Sequence, residues 1–249
     1  MRIAILALLL LLGGCVTERT GVLHPEQELT AAAELNVQLG FEYLRSGKRA
    51  DAVAKFEKAV EQDGDNAQAR YGLALVNEQV GDFKAARRFY EAAMDKAPGD
   101  SAISNAYGGF LCRRGEYEEA EKAFMAAARS LTYRTPETAH TNAGICLRKK
   151  DPARAEQHLR DALASNPTYP QALFELADLS LERGEALRSR AFLQRLREEV
   201  RPDARTLLLS YRTEKALGDE RAAARFADQL RREYPNSPEI LELDGKPKK

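Results

Sequence analysis

Few residues in this chain of 249 are of types that do chemistry, and their spacing is unpromising for catalysis. There are three cysteines, Cys15, Cys112 and Cys146, and three histidines, His24, His140 and His158. An enzyme needs a nucleophile, a base to activate it and something to stabilise developing charge. No phosphate loop, no GxSxG and no GxGxxG after a strand is present. His140 and His158 stand at no metal-ligand spacing with another histidine or cysteine, so no metal site is expected. Glu116, Glu118, Glu119 and Glu121 are interleaved with lysine and fit a solvated helix face. Lys plus Arg and Asp plus Glu balance at 38 each, which gives no basic footprint for nucleic acid. These observations exclude an obvious enzyme, cofactor or small-molecule substrate and leave a binding protein as the expectation.

Cys15 has its own context. Met1-Arg2 is a short positive start, and Ile3 to Leu12 is an unbroken apolar run. As a helix this run covers about 15 Å, half of the ~30 Å a bilayer core needs. It reads as a secretory signal peptide rather than a span. Leu12-Gly13-Gly14-Cys15 resembles the bacterial lipoprotein box, in which cleavage falls just before cysteine. The resemblance implies removal of residues 1–14 and a covalent lipid on Cys15, with several acyl chains giving stable anchoring where one would not. Val16 is not the aspartate that often holds such proteins at the inner membrane, so sorting to the outer membrane, facing the periplasm, is expected. Residues 15–32 then form a flexible tether, polar and interrupted by Gly21 and Pro25.

The elements that must position everything else follow from a repeat. Gly47, Gly81 and Gly115 are 34 residues apart, as are Gly184 and Gly218. One further unit lies between Gly115 and Gly184, with one extra residue and Lys150 at its turn. Five residues past each turn stand Ala52, Ala86, Ala120, Ala155, Ser189 and Ala223; nine past stand Phe56, Tyr90, Phe124, Leu159, Leu193 and Ala227. A small residue lets two helices approach closely. The large one, a turn later on the same face, fills the space between units. Pro98, Pro167, Pro202 and Pro235 fall near unit ends, where a helix cannot continue. The pattern resembles the tetratricopeptide repeat, and predicts an all-α, right-handed solenoid of six helix-turn-helix units: 33–66, 67–100, 101–134, 136–169, 170–203 and 204–237. Residues 238–249 are expected to be a disordered tail.

Such a solenoid leaves a long concave surface lined by first helices. Tyr71, Asn105, Gly109, Arg113, Phe174 and Asp178 are candidate groove residues for a protein partner. Cys112 and Cys146 fall on the first helices of adjacent units. An oxidising compartment permits a disulfide between them; two small buried apolar side chains are the alternative.

The middle of the chain is more particular. "NAYGGFLCRRGEYEEAEKAF" (105–124) and "LTYRTPETAHTNAGICL" (131–147) resemble the type IV pilus biogenesis and stability lipoprotein family, PilW or PilF. The matching residues include Asn105, Tyr107-Gly108, Phe110-Leu111-Cys112, Tyr133, Pro136, Asn142 and Gly144. The resemblance implies a pilotin-like role, with the pilus secretin as partner. A general periplasmic scaffold, and a regulator of enzymes or a hydrolase, are the other functions to weigh.

Overall fold

The protein, described as a computed structural model over residues 25–245, contains thirteen α-helices and no strand among those residues. They are α1 (Pro25–Arg45), α2 (Arg49–Gln62), α3 (Ala67–Val80), α4 (Phe83–Lys96), α5 (Ser101–Arg113), α6 (Tyr117–Ala128) and α7 (Pro136–Leu147). There follow α8 (Pro152–Ser165), α9 (Pro170–Glu182), α10 (Ala186–Glu199), α11 (Ala204–Ala216), α12 (Glu220–Glu233) and the short α13 (Pro238–Leu243). Helices pair as α1/α2 through α11/α12, and each pair stacks on the next, the architecture of a tetratricopeptide solenoid. The helices α3, α5, α7, α9 and α11 begin at 67, 101, 136, 170 and 204, the first residues of the second to sixth units. No described helix is long and apolar enough to cross a membrane.

Local chemistry explains the ends. Asn66, Asp82, Asp100, Asp151, Asp203 and Asp219 each accept a backbone N–H from the first turn of the helix they precede. Pro136, Pro152, Pro170 and Pro238 open helices at the position where a missing N–H costs nothing. Five of the six intra-unit turns place glycine at φ of 74° to 84°, a left-handed conformation that a Cβ resists. The fourth turn carries no glycine and no left-handed residue. There Arg148 stays right-handed, and Lys150 and Asp151 both donate their backbone N–H to Leu147 O.

The core is built from second-helix knobs entering first-helix hollows. Phe56, Tyr90 and Phe124 are buried, as are Leu159 and Leu193. Gly40 and Gly72 both face the Phe56 ring, so closely that a Cβ on either would overlap it. A Cβ at Gly108 would come within 2.7 Å of Phe124, and one at Gly144 within 2.7 Å of Leu159.

Two boundaries differ from expectation. Helix α1 begins at Pro25, inside the stretch 15–32 read as a flexible tether, because Ala33, Val37 and Phe41 start the first core: Ala33 and Val37 are buried against Ala59 and Ala69. Helix α13 lies inside the predicted tail 238–249. Pro238 starts it, and Ile240 and Leu243 pack against Leu207, Leu208 and Leu230, closing the end of the solenoid. The signal segment 1–14, Cys15 and His24 lie outside the described residues.

Candidate functional site

The first-helix face divides by chemistry. Toward its start, rings form a chain: Phe41 lies 6.0 Å from Tyr71, Tyr71 6.1 Å from Tyr90, and Tyr90 5.4 Å from Tyr107 and 5.3 Å from Phe110. Tyr71 is therefore half-packed. Burial, then the charges of Asp100 and Glu78, push its phenol up. Burial, with Glu91 as hydrogen-bond acceptor, pushes Tyr107 up to about 12. Both phenols stay neutral hydrogen-bonding groups at any physiological pH.

Arg113 is exposed but not free. Its Nη2 lies 2.6 Å from Glu78 Oε1, and the other Glu78 oxygen accepts from the Tyr90 hydroxyl at 3.1 Å. Asn105 accepts from Asn142 Nδ2 at 3.1 Å, so the two asparagines bridge α5 and α7. Gly109 is half-buried, and a Cβ there would meet only the flexible Arg113 guanidinium at 3.2 Å. Tyr71, Asn105, Gly109 and Arg113 thus fall on two neighbouring helices, α3 and α5. Phe174 and Asp178 sit apart from them on α9.

The second group centres on Arg148, which sequence reasoning missed. Its guanidinium reaches Glu175 at 3.0 Å, Asp178 at 2.8 Å and Glu182 at 2.8 Å. Burial opposes its charge, but hydrogen bonds to Asp178 and Glu182 outweigh that and hold it above the usual arginine range. Burial pushes the Glu175 carboxyl up against the pull of Arg148. Phe174 carries the Arg205 guanidinium 4.6 Å above its ring. Pockets open on both sides of Phe174. One includes Glu175, Asp203 and Arg205; the other Asp178, Arg205 and Arg212. A signal for Arg148 existed: it stands twelve residues after the start of its unit, as Arg113 does. Reading registers across units would have found it.

Cys112 and Cys146, 34 positions apart in sequence, are joined by a disulfide, with Cα atoms 5.7 Å apart. His140 on α7 and His158 on α8 come together, ring centroids 5.9 Å apart, with Asp161 beside them. The two histidines are remote in sequence and become neighbours only across the α7/α8 pair. His140 is held below the usual histidine range by burial, partly offset by Asp161.

Comparison with known proteins agrees with this architecture. The tetratricopeptide-repeat signature matches residues 37–101, and again 78–131 and 147–210. The type IV pilus assembly protein PilF of Pseudomonas aeruginosa is 31% identical over 246 residues, covering 97% of this chain and 98% of that protein. The chain belongs to the PilF/PilW family of tetratricopeptide-repeat proteins. The solved structure of PilW, a type IV pilus biogenesis factor, superposes with a TM-score of 0.74 at 30% identity, covering 85% of this chain and 97% of PilW. That of Pseudomonas aeruginosa PilF gives 0.73 at 30% identity, covering 88% of this chain and 99% of the other. The PilF/PilW likeness therefore runs the length of the solenoid rather than one repeat, and includes the stretch that carries Asn105, Cys112, Asn142 and Cys146.

Proposed function

We propose that the protein is a lipid-anchored scaffold of the outer membrane that acts in type IV pilus biogenesis. It would bind the pilus secretin through its first-helix face and promote the secretin's localisation and assembly into multimers. The observation that carries this reading is the end-to-end similarity to a type IV pilus assembly protein. The fold is compatible with the role. A stack of repeats offers an extended face for a partner segment and needs no chemistry of its own. The lipoprotein box at Cys15 supplies the membrane address in this reading.

The partner face is assigned to α3 and α5. Asn105 and Arg113 present polar groups there beside the edge of the ring chain, a mixture suited to a peptide with both polar and aromatic character. The test uses Asn105→Ala and Arg113→Gln, neither of which removes a buried side chain. Secretin multimers, read on gels without heating, should fall several-fold while helicity and the unfolding midpoint hold. Cys15→Ser should leave the helices intact and release the protein from the outer-membrane fraction. Pili and secretin multimers that persist at normal levels in a deletion strain would overturn the reading.

A further inference from the structure

We propose that His140, His158 and Asp161 form a binding site for a divalent transition-metal ion of the zinc type, clamping α7 to α8 in the fourth unit. One ligand atom from each of the three residues lies within 4.8 Å of the others. Two imidazole nitrogens and a carboxylate oxygen are a donor set for zinc and its neighbours, not for calcium or magnesium. Metal–ligand bonds of about 2.0–2.2 Å require the three side chains to close up around the ion.

The distances alone would be weak; the hydrogen bonding around the cluster makes the case. His158 is 8% exposed, and its Nδ1 is buried with no hydrogen-bond partner. His140 Nδ1 is likewise buried and without one. A buried imidazole nitrogen left unpaired costs on the order of 1–3 kcal/mol, and each of the two histidines carries one. The other ring nitrogen of His158 is engaged: Nε2 lies 2.9 Å from Glu121 Oε1. Glu121 in turn accepts from Arg154 at 2.7 Å, and Arg154 is braced by Asp151 at 2.9 Å. Glu121 is thereby held in place by Arg154 and engages the Nε2 side of the His158 ring. That leaves Nδ1 as the ring nitrogen of His158 open to a further ligand. A carboxylate behind a histidine, orienting its ring and raising its basicity, is the usual outer support of a metal-bound imidazole.

The register of the repeat points the same way. His140 is the fifth residue of α7, and His158 the seventh of α8. In the second unit these positions hold Tyr71 and Phe89, and in the fifth Phe174 and Phe192; each pair packs against a single hydrophobic cluster. The fourth unit replaces an aromatic pair by two imidazoles and adds Asp161. It is also the unit whose turn lacks the left-handed glycine. A metal bridge would tie its two helices where the turn is atypical, leaving a fourth coordination position for water or for a group from a partner. The inference stands on these residues and is independent of the pilus reading.

The full, untagged chain is dialysed against Zn2+ and, separately, Co2+, and its metal content and visible spectrum are measured. The expected result is one equivalent bound, with cobalt bands of nitrogen–oxygen ligation. His140→Ala and Asp161→Asn should each weaken binding by at least tenfold, and Glu121→Gln by roughly ten- to a hundredfold through loss of outer support. His24→Ala should leave binding unchanged. Because His158 is buried, its variant is not relied on; His140→Ala and Asp161→Asn change half-buried side chains, and their helicity is checked in parallel. Failure to bind a stoichiometric metal, binding that survives both variants, or loss in His24→Ala would overturn the proposal.

Discussion

The first three units and the last two solve one packing problem with different chemistry. In units one to three the knob from the second helix is aromatic, and glycines on the first helices open hollows for it: Gly40 and Gly72 around Phe56, Gly108 around Phe124. The rings then touch along the stack, from Phe56 through Phe41, Tyr71 and Tyr90 to Tyr107. In units five and six the knobs shrink to Leu193 and Ala227, and the first helices carry Ala177 and Tyr211 where Gly40 and Gly108 stood. Polar groups enter the core there instead. Ser189 and Thr213 share a hydrogen bond of 2.8 Å, and the buried Glu214 is held by Arg190 at 3.0 Å. The repeat therefore fixes the size relation between knob and hollow rather than the identity of either residue. In the sixth unit that relation is inverted: the knob is Ala227, and Tyr211 on the first helix supplies the bulk.

If that contrast is right, the largest single effect belongs to an aromatic knob. Phe56→Ala should cost about 3–5 kcal/mol, seen as a lowered midpoint in urea unfolding. Phe56 is fully buried and faces glycines of two successive units, so its loss empties a cavity that neither helix can collapse into. A cost below that of Leu193→Ala would break the comparison, because it would mean the ring and its glycine hollow add nothing over a leucine.

The next effect falls at the border between the two regions. The disulfide of Cys112 and Cys146 ties the third unit to the fourth across 34 residues. In the chain-entropy account a loop of this size is stabilised by roughly 3–4 kcal/mol. Comparing oxidised and reduced protein in the same urea series measures it. A reduced form that unfolds in two steps, with the C-terminal units first, would sharpen the division. Unchanged midpoints would remove the disulfide from the account of how the halves hold together.

A third, smaller effect tests the hollow rather than the knob. Gly108→Ala places a Cβ 2.7 Å from the Phe124 ring, and overpacking of this kind costs about 1–3 kcal/mol. Adding Phe124→Leu should recover part of the loss, because the leucine knob of the fourth unit already lives against its own glycine, Gly144. Additive costs in the double variant would show that the two positions do not meet as a pair.

The sequence carried the repeat and the position of the knobs because both rest on one-dimensional spacing: a turn glycine, a small residue five later and a large one nine later. It carried the groove as a set of first-helix positions, yet the structure splits that set between Tyr71, Asn105, Gly109 and Arg113 on one side and Phe174 and Asp178 on the other. Contacts that cross between helices were not legible by scanning for motifs. Arg148 reaches 27 residues on to Glu175, and Arg154 reaches 33 back to Glu121. His140 meets His158 only because two antiparallel helices fold over a turn. The helix from Pro25 was hidden for another reason: its first two turns are polar, and only Ala33 and Val37, further on, show what the helix packs against.

The smallest effect concerns acid, and it should be confined to the later units. Glu156 on α8 binds Arg160 at 2.8 Å and Arg188 at 2.5 Å, and pairs with Arg183 as well. Burial alone would raise its carboxyl, but the hydrogen bonds from Arg188 and Arg160 outweigh it and hold it at about 2, against an ordinary value of 4.5. The folded form thus binds this proton less readily than the unfolded chain. Its contribution is complete above pH 4.5 and is lost as the pH falls through about 2. Because Glu156 links α8 to α10 across the start of the fifth unit, acid should loosen that junction while leaving the ring chain of units one to three intact. Glu156→Gln should flatten the loss between pH 4.5 and pH 2, and hydrogen exchange should find α8 to α10 opening first in the unaltered protein. If α3 to α5 open at the same pH, ion pairing is not what separates the two regions, and the contrast between them reduces to the size of their knobs.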